Sequence, residues 1–577
     1  MIYRLCILLI LVTSILAFDP GDDGVSEIIE ILSLTKIDLN KTSEVELIAV
    51  PYITDDLANK IVQSAEEKPF TKISELVTRG IINLSEYEII SSIFTVGTQK
   101  KVLKINGTTT KPYYTPKGEI EKKYLGNDYY YKNRILFDSE NITFGILLEK
   151  DSWELHNPDL LKYNFKYSTD FIDYSFGNFI VKSPRLGFYE GSGFQDNYTV
   201  SSNKSIILAD ITSNEAYDLK GIKLNSNYGL FEISVAGMNG KFSTGKEYGK
   251  IKSLLSDGSF MTESELDRKY NSQFQRGVLF IGFTKQSINI STGFIYDYFE
   301  DEFIEYDNYP LFLSGLEVEL FSTRFITSAI LKKSDFFIKE QISFDNIFFY
   351  GAHNKIDKPT FFSENPDGLK ADETVIGLKL KGKRSLKNNS IIFEVSQQDK
   401  HKKLSGELKS NIKFSLLNFE TNYKSEMKSD DGNDNFIRNT VKFKIWYEFK
   451  TLHLDYNLVY SKDEECDCEG VMNDVSLILK NIYGLDLKTG AITYKSLKGK
   501  NSFYKTGTFE KDNVTMNNFS GDGVISYIKL EYSFDEFSTF VGYYKHNNYS
   551  DINFGTGNDK IYSDQKSRLT FGFCYSR

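Results

Sequence analysis

The chain is poor in residues that staple, chelate or break elements. Its 577 residues include 4 cysteines, 5 histidines, 10 prolines, 6 methionines and 2 tryptophans. Four cysteines cannot staple a chain of this length into a disulfide scaffold. His156, His353, His401, His453 and His546 stand apart, none within helical or strand spacing of another, and no Gly-x-Ser-x-Gly elbow accompanies them. Neither a phosphate-cradling Walker loop nor a dinucleotide fingerprint is present. The reading is therefore a chain with no catalytic residues, no metal site and no cofactor. Beyond the first segment no run approaches the ~18 consecutive apolar residues of a spanning helix. An excess of positive charge is also missing. The 69 Lys+Arg face 79 Asp+Glu, for a net of −10, which argues against a chain built mainly to coat nucleic acid. What abounds is aromatic: 45 Phe and 37 Tyr. Both fit pleated, half-buried surfaces, so composition leans toward strands.

Residues 1–17 carry Arg4, an apolar run from Leu5 to Leu16 and the small Ala17. That pattern is a secretory signal peptide, too short to span a bilayer as a helix. Its removal takes Cys6 and leaves Cys466, Cys468 and Cys574. Cys466-Asp467-Cys468 lies in an acidic stretch, and two thiols fall short of a closed four-ligand site. The run from Asp430 to Asn435 is acidic but lacks the spacing of a calcium loop, and reads as a solvated external loop.

Residues 25–97 have helical periodicity. Asn40-Lys41-Thr42-Ser43 offers cap residues ahead of Val45, Leu47 and Ile48, and Asp55-Asp56 fits the first turn of a further helix. Ile37-Asp38-Leu39-Asn40-Lys41-Thr42-Ser43, Glu46-Leu47, Val50-Pro51-Tyr52-Ile53, Ala58-Asn59-Lys60-Ile61 and Lys68-Pro69-Phe70 follow in the order of a known module. This stretch resembles the helix-hairpin-helix domain of ComEA-type competence proteins. In that family the hairpin reads Pro-Gly-Ile-Gly, and its glycines let backbone amides approach a DNA phosphate. The resemblance places a contact to DNA or a partner at Pro51, Tyr52, Ile53, Thr54 and Lys60. Here Tyr52 and Thr54 replace the glycines, and residues 25–94 hold 12 acidic against 6 basic side chains. Phosphate neutralisation requires Lys and Arg, so nucleic acid is a disfavoured partner and a periplasmic protein the better one.

Residues 98–128 are polar, with Gly107-Thr108-Thr109-Thr110 and Pro112, and read as a linker. Over 129–577 the period becomes two. Val441, Phe443, Ile445, Tyr447 and Phe449 share one face, as do Leu452, Leu454, Tyr456, Leu458 and Tyr460, with only Lys450-Thr451 between the runs. Asp535-Glu536 makes a second tight reversal, and Tyr483-Gly484-Leu485 a third. Polar stretches at 425–437, 461–473, 496–522 and 546–566 separate these reversals. Short turns alternating with long loops are the signature of a transmembrane barrel. The fold expected is mainly β: a large antiparallel transmembrane barrel of an even ~18–24 strands behind a small all-α domain. Outward Leu, Ile, Val and Phe would face lipid, Tyr would mark the interfaces, and inward Lys, Glu, Ser, Asn and Thr would face water or plug material.

The last run carries Leu569, Phe571, Phe573 and Tyr575 on one face. It resembles the closing strand that barrel-assembly machinery reads, although Ser576-Arg577 follows the aromatic residue. An exported hairpin module ahead of a large barrel also resembles envelope proteins of the Bacteroidetes type. Their barrels often carry Gly-Gln-Gly-Leu after an early strand. Here 172–188 takes that place, with Ser183-Pro184-Arg185 where glycines would be. The function expected is non-enzymatic: passage across, or organisation of, the outer membrane, with outer-membrane lipid as a partner. The alternatives are a DNA-uptake envelope protein and a secreted or barrel-type hydrolase.

Overall fold

Alternation along 101–576 serves one end: a sheet with no edges left inside a membrane. The computed structural model describes residues 37–576 in segments. Residues 1–36, 97–100, 117–124, 189–206, 255–262, 357–371, 382–389 and several shorter stretches lie outside the description, and with them the signal-peptide expectation.

The sheet closes as a 24-strand antiparallel barrel, within the even range expected. Its first strands are β1 (Lys101–Pro116), β2 (Tyr130–Ser139), β3 (Ile142–Lys150), β4 (Leu160–Ser168), β5 (Ile172–Val181), β6 (Tyr217–Tyr228), β7 (Phe231–Phe242) and β8 (Ser272–Lys285). Then come β9 (Ile288–Phe299), β10 (Leu311–Leu320), β11 (Thr323–Lys332), β12 (Asp335–Phe344), β13 (Ile347–Asn354), β14 (Glu373–Lys381), β15 (Ser390–Gln398) and β16 (His401–Phe414). The ring is completed by β17 (Leu417–Asp430), β18 (Asn433–Phe449), β19 (Leu452–Asp463), β20 (Cys468–Ile482), β21 (Leu485–Ser496), β22 (Asp522–Phe534), β23 (Phe537–Asn548) and β24 (Ile561–Ser576). Each strand pairs with its neighbour in sequence, and β24 returns to β1 in the register Lys104↔Ser576 to Tyr113↔Ser567.

That closure corrects the linker reading. Residues 101–116 are a strand, so the barrel starts at 101 and not at 129. Three consecutive threonines masked the strand by hydropathy, yet β-branched side chains suit a pleated surface. Gly107 has a role at the seam: a Cβ there would lie 2.3 Å from the Phe573 ring. Pro112 sits beyond the last β1–β2 pair, Thr110↔Tyr130, where a missing N–H leaves no ladder bond unmade.

At one end ten connections are of two or three residues, 140–141, 169–171, 229–230, 286–287, 321–322, 345–346, 415–416, 450–451, 483–484 and 535–536, and the eleventh, 382–389, has eight. The other end carries the long connections 117–129, 182–216, 243–271, 300–310, 355–372, 497–521 and 549–560. It also has tight reversals at 333–334, 399–400 and 431–432. The polar stretch 425–437 is therefore no long loop, because β17 and β18 run on through it. Likewise β19 and β20 extend through much of 461–473. Past the hydrocarbon both faces of a hairpin meet water, so the ladder persists without alternation.

Outward positions are apolar and exposed: Ile233 and Val235 on β7, Ile338 and Ile342 on β12, Phe393 and Val395 on β15, Ile528 and Leu530 on β22. Tyr228 and Tyr532 lie toward the short-turn end, Tyr296 and Tyr298 toward the other. A ring that is apolar outside and closed on itself is the structure lipid permits, because neighbouring strands satisfy one another's backbone groups. It is an outer-membrane β-barrel.

The N-terminal module has its own core of Leu39, Leu47, Ile53, Ala58, Ile61, Phe70, Leu76, Ile82, Ile93 and Phe94. Among its described residues are the helices α1 (Asp55–Glu67) and α2 (Glu75–Thr78), and Ile37–Asp38 pairs in parallel with Phe94–Thr95. The Asn40 side chain clamps Phe70: its Oδ1 accepts the Phe70 N–H (2.8 Å) and its Nδ2 donates to the Phe70 carbonyl (2.9 Å).

Candidate functional site: the barrel lumen

Inward positions fall into two chemistries. On β15–β24 polar and charged side chains of both signs share the inner face with a small cluster of Met472, Ile492, Tyr494, Ile525, Tyr527 and Tyr544. Lys403 and Lys424 each approach Glu426 at 3.0 Å. Tyr494 Oη lies 2.6 Å from His546 Nε2, and Arg568 stacks over the Tyr544 ring at 4.8 Å. Lys529 pairs with Glu531 at 3.1 Å, while Lys444 lies 5.0 Å from the Trp446 ring. Alternation predicts this polar lining.

The wall from β5 to β14 is different. Toward the long-connection end its inward face is an apolar cluster, including Leu219, Met238, Phe242, Phe274, Phe280 and Phe337. Ring contacts run from Phe242 to Phe274 (5.6 Å), Phe274 to Phe299 (5.6 Å), Phe299 to Phe303 (4.8 Å) and Phe303 to Tyr306 (5.0 Å). The expectation of a uniformly polar interior is corrected here. Phe179, Ile180 and Val181 turn inward at the end of β5, pair with Ile207, Leu208 and Ala209, and bury completely against this cluster with Phe188. Sequence reasoning missed these residues. The signal was the unbroken apolar run Phe179-Ile180-Val181 after Gly177-Asn178, where alternation fails.

Buried charges hold the inward segment and the wall. Lys162 Nζ donates to Asp210 Oδ2 (2.7 Å), with both side chains withdrawn from water. Arg276 and Asp297 meet bidentately, Nε to Oδ1 at 2.6 Å and Nη2 to Oδ2 at 2.7 Å. Lys223 Nζ donates to the Ile207 carbonyl (2.7 Å).

The residues singled out in the sequence fall elsewhere. Pro51, Tyr52 and Thr54 lie outside the described residues. Ile53 is a core residue of the module. Lys60 is on α1, half-buried. On β24, Phe571 and Phe573 face outward and exposed, and Cys574 is buried on the inner face. Leu569, Phe571, Phe573 and Tyr575 pair with Lys111, Thr109, Gly107 and Ile105 of β1, so they form the closing seam. Cys466 lies outside the described residues, while Cys468 opens β20. The module meets the short-turn end of the ring, where Lys480 Nζ lies 5.2 Å from the Tyr87 ring.

No protein-family profile matches the chain, and no curated protein does. Among solved structures, it is similar to a BenF-like porin from Pseudomonas fluorescens, at 9% identity and a TM-score of 0.31 over 83% of this chain and 98% of that one. OccK11 of Pseudomonas aeruginosa gives 8% and 0.28 over 82% and 95%, and OprD of the same organism gives 11% and 0.29 over 53% and 89%. At likenesses this low the barrel rests on its own hydrogen-bond ladders, and no solute is carried over from those proteins.

Proposed function

We propose that the protein is a non-enzymatic passage protein of the outer membrane, a barrel whose lumen admits hydrophilic solutes. In this reading a helix-hairpin-helix-like module sits at the periplasmic mouth as a scaffold for another envelope protein. The observation that carries the reading is the two-signed charge on the inner face of β15–β24, where Lys529 pairs with Glu531 and Lys444 faces Asp455 within the spanning part of the strands. A wall serving only as a packed core would fill such inward positions with branched apolar side chains, since burying a charge costs more than burying a methyl group. The purified full chain in proteoliposomes tests it. Swelling in isotonic arabinose above that of protein-free vesicles is expected, and no swelling together with no conductance in planar bilayers would overturn passage.

The acidic module supports a protein partner over DNA, because 12 acidic against 6 basic residues repel phosphates. Binding of the full chain to duplex DNA across a salt series separates the two. No binding at low ionic strength is expected, and affinity falling linearly with log salt would instead favour the DNA-uptake alternative. The aromatic face of β24 fits recognition by barrel-assembly machinery.

A further inference from the structure

Among the described residues the wall is one strand short over part of its height. β4 pairs with β5 from Asn164↔Gly177 to Ser168↔Asp173, and β5 pairs with β6 only as far as Asn178↔Lys220. Toward the long-connection end, 160–163 of β4 keep their ladder to β3, and 217–219 of β6 keep theirs to β7. Between them β5 has left the wall. Gly177 permits the departure: its φ is +124° and a Cβ would lie 2.2 Å from the Tyr163 carbonyl oxygen.

The slot is bridged by Asn178, which is fully buried. Its Oδ1 accepts the Tyr163 N–H (3.1 Å), and its Nδ2 donates to Asp218 Oδ1 (2.6 Å). Its carbonyl accepts the Asn164 Nδ2–H (3.0 Å) and the Asp210 N–H (2.9 Å). One amide side chain thus spans β4 and β6 where a strand would otherwise supply a continuous ladder.

Apolar surface lies on both sides of this bridge. Outside is a groove of about 600 Å³ lined by Tyr163, Phe165, Phe176 and Ile222, with Lys220 and Asn239 toward its external end. Its walls are lipid-facing: Phe176 is 49% exposed and Ile222 64%. Inside are Phe179, Ile180 and Leu219 of the apolar lumen cluster.

We propose that the slot is a lateral port through which a long-chain carboxylate, a single-chain anionic amphiphile, passes between the bilayer and the apolar side of the lumen. The proposal goes beyond the passage reading, since an amphiphile entering from the bilayer is not one of the hydrophilic solutes that reading admits to the lumen. Among the described residues no strand stands between β4 and β6 here, so their backbones lie about 10 Å apart by strand spacing. Asn178 closes that gap at rest. Once its side chain turns away, the gap has room for one alkyl chain and not for the paired chains of a bilayer lipid. Lys220 Nζ donates to Asp218 Oδ2 (2.7 Å) and lies 5.8 Å from the Tyr163 ring. An ammonium has three donors, so Lys220 can hold a carboxylate head at the rim while keeping Asp218.

The test uses the full chain in proteoliposomes with a photoreactive diazirine analogue of palmitate. Labelled residues are mapped by mass spectrometry, and heat-modifiable gel migration shows that each variant is folded. Label is expected on Phe176 and Ile222 outside and on Phe179 and Leu219 inside. Ile222→Trp, which fills the groove, should lower it roughly tenfold, a loss of about 1.4 kcal/mol. Ile376→Trp, on a lipid-facing position of β14, should leave it unchanged. Lys220→Met should weaken labelling by the carboxylate and leave labelling by its methyl ester unchanged. Label spread evenly round the ring, confined to the outer face, or indifferent to Ile222→Trp overturns the port. Arabinose swelling of the same vesicles is a separate readout. Focused label without swelling strikes the passage of hydrophilic solutes and leaves the port standing, and swelling with diffuse label strikes the port alone.

Discussion

Arg276 and Asp297 stand directly opposite each other on β8 and β9, and their side chains are 0% and 3% exposed. Register alone brings the guanidinium fork to the carboxylate, which is why two parallel hydrogen bonds form and not one. Such a pair gains little over apolar residues of the same shape, because both ions were taken out of water to make it. Breaking it is another matter. Arg276→Met leaves a buried carboxylate without its cation and should cost ~3–5 kcal/mol. Arg276→Met with Asp297→Leu should recover most of that loss. Urea unfolding of the detergent-solubilised chain, followed by intrinsic fluorescence, gives both numbers. A double variant as unstable as the single one would show that the pair holds the wall by its charges. Neither residue could be matched to the other from the sequence, since strand register is a property of the whole ladder and the 20 residues between them include a turn.

At the scale of elements, the module and the barrel strands were legible to different degrees. In the module, α1 ends against Arg79, which a periodicity argument does not see. Arg79 Nη1 donates to the Ser64 carbonyl (3.0 Å) and the Lys68 carbonyl (2.5 Å), Nη2 donates to the Pro69 carbonyl (3.1 Å), and the guanidinium lies 4.1 Å from the Phe70 ring centroid. The Ser64 carbonyl, in the last turn of α1, also accepts the Lys68 N–H (3.1 Å), and the Lys68 and Pro69 carbonyls follow the helix end. Arg79→Ala should cost the module about 2 kcal/mol, read as faster amide exchange over 55–80 in the full chain with the barrel's exchange unchanged. Glu75 completes the arrangement. Its Oε1 accepts from the Thr71 hydroxyl and the Thr71 and Lys72 amides, and Arg79 donates to its Oε2. Hydrogen bonds from Thr71 and Arg79 hold its carboxyl down at about 2, against an ordinary 4.5. A carboxyl depressed by folding stabilises above its unfolded pKa and ceases to do so as pH falls through its folded one. Amide protection over 71–79 should therefore hold above pH 4.5 and decline between 4.5 and about 2. Thr71→Val should move that decline to higher pH, and a decline unmoved by it would remove Glu75 as the cause. Among the strands, those in the hydrocarbon were legible wherever one face meets lipid and the other polar neighbours, as on β18, β19 and β22. β1 was not, because Thr108, Thr109 and Thr110 present the same chemistry to both faces. The hairpin of β17 and β18 was legible only up to the membrane surface. The inward turn of β5 was hidden because a run of three apolar residues reads as strand whether it faces lipid or a packed interior.

For the whole molecule, the even strand count carries a consequence for sidedness. β1 enters from the short-turn end and β24 finishes there, so the helical module and Ser576 share one side of the membrane. Short turns mark the periplasmic side of such barrels, and longer connections the external side. Thiol accessibility in intact cells checks this. In a background with Cys466, Cys468 and Cys574 changed to serine, Asp551→Cys lies in the 549–560 connection and should react with a membrane-impermeant maleimide without any treatment. Thr451→Cys, in the turn between β18 and β19, and Lys68→Cys, just past α1, should react only after the outer membrane is permeabilised. The three positions are informative together. Labelling of Thr451→Cys and Lys68→Cys on intact cells, with Asp551→Cys protected, would invert the barrel. Labelling of Lys68→Cys alone among the protected pair would place the module outside while the turns stay inside. An even ring does not allow that unless the chain crosses the membrane once more before β1, so that outcome would count against the ring and not only against its orientation.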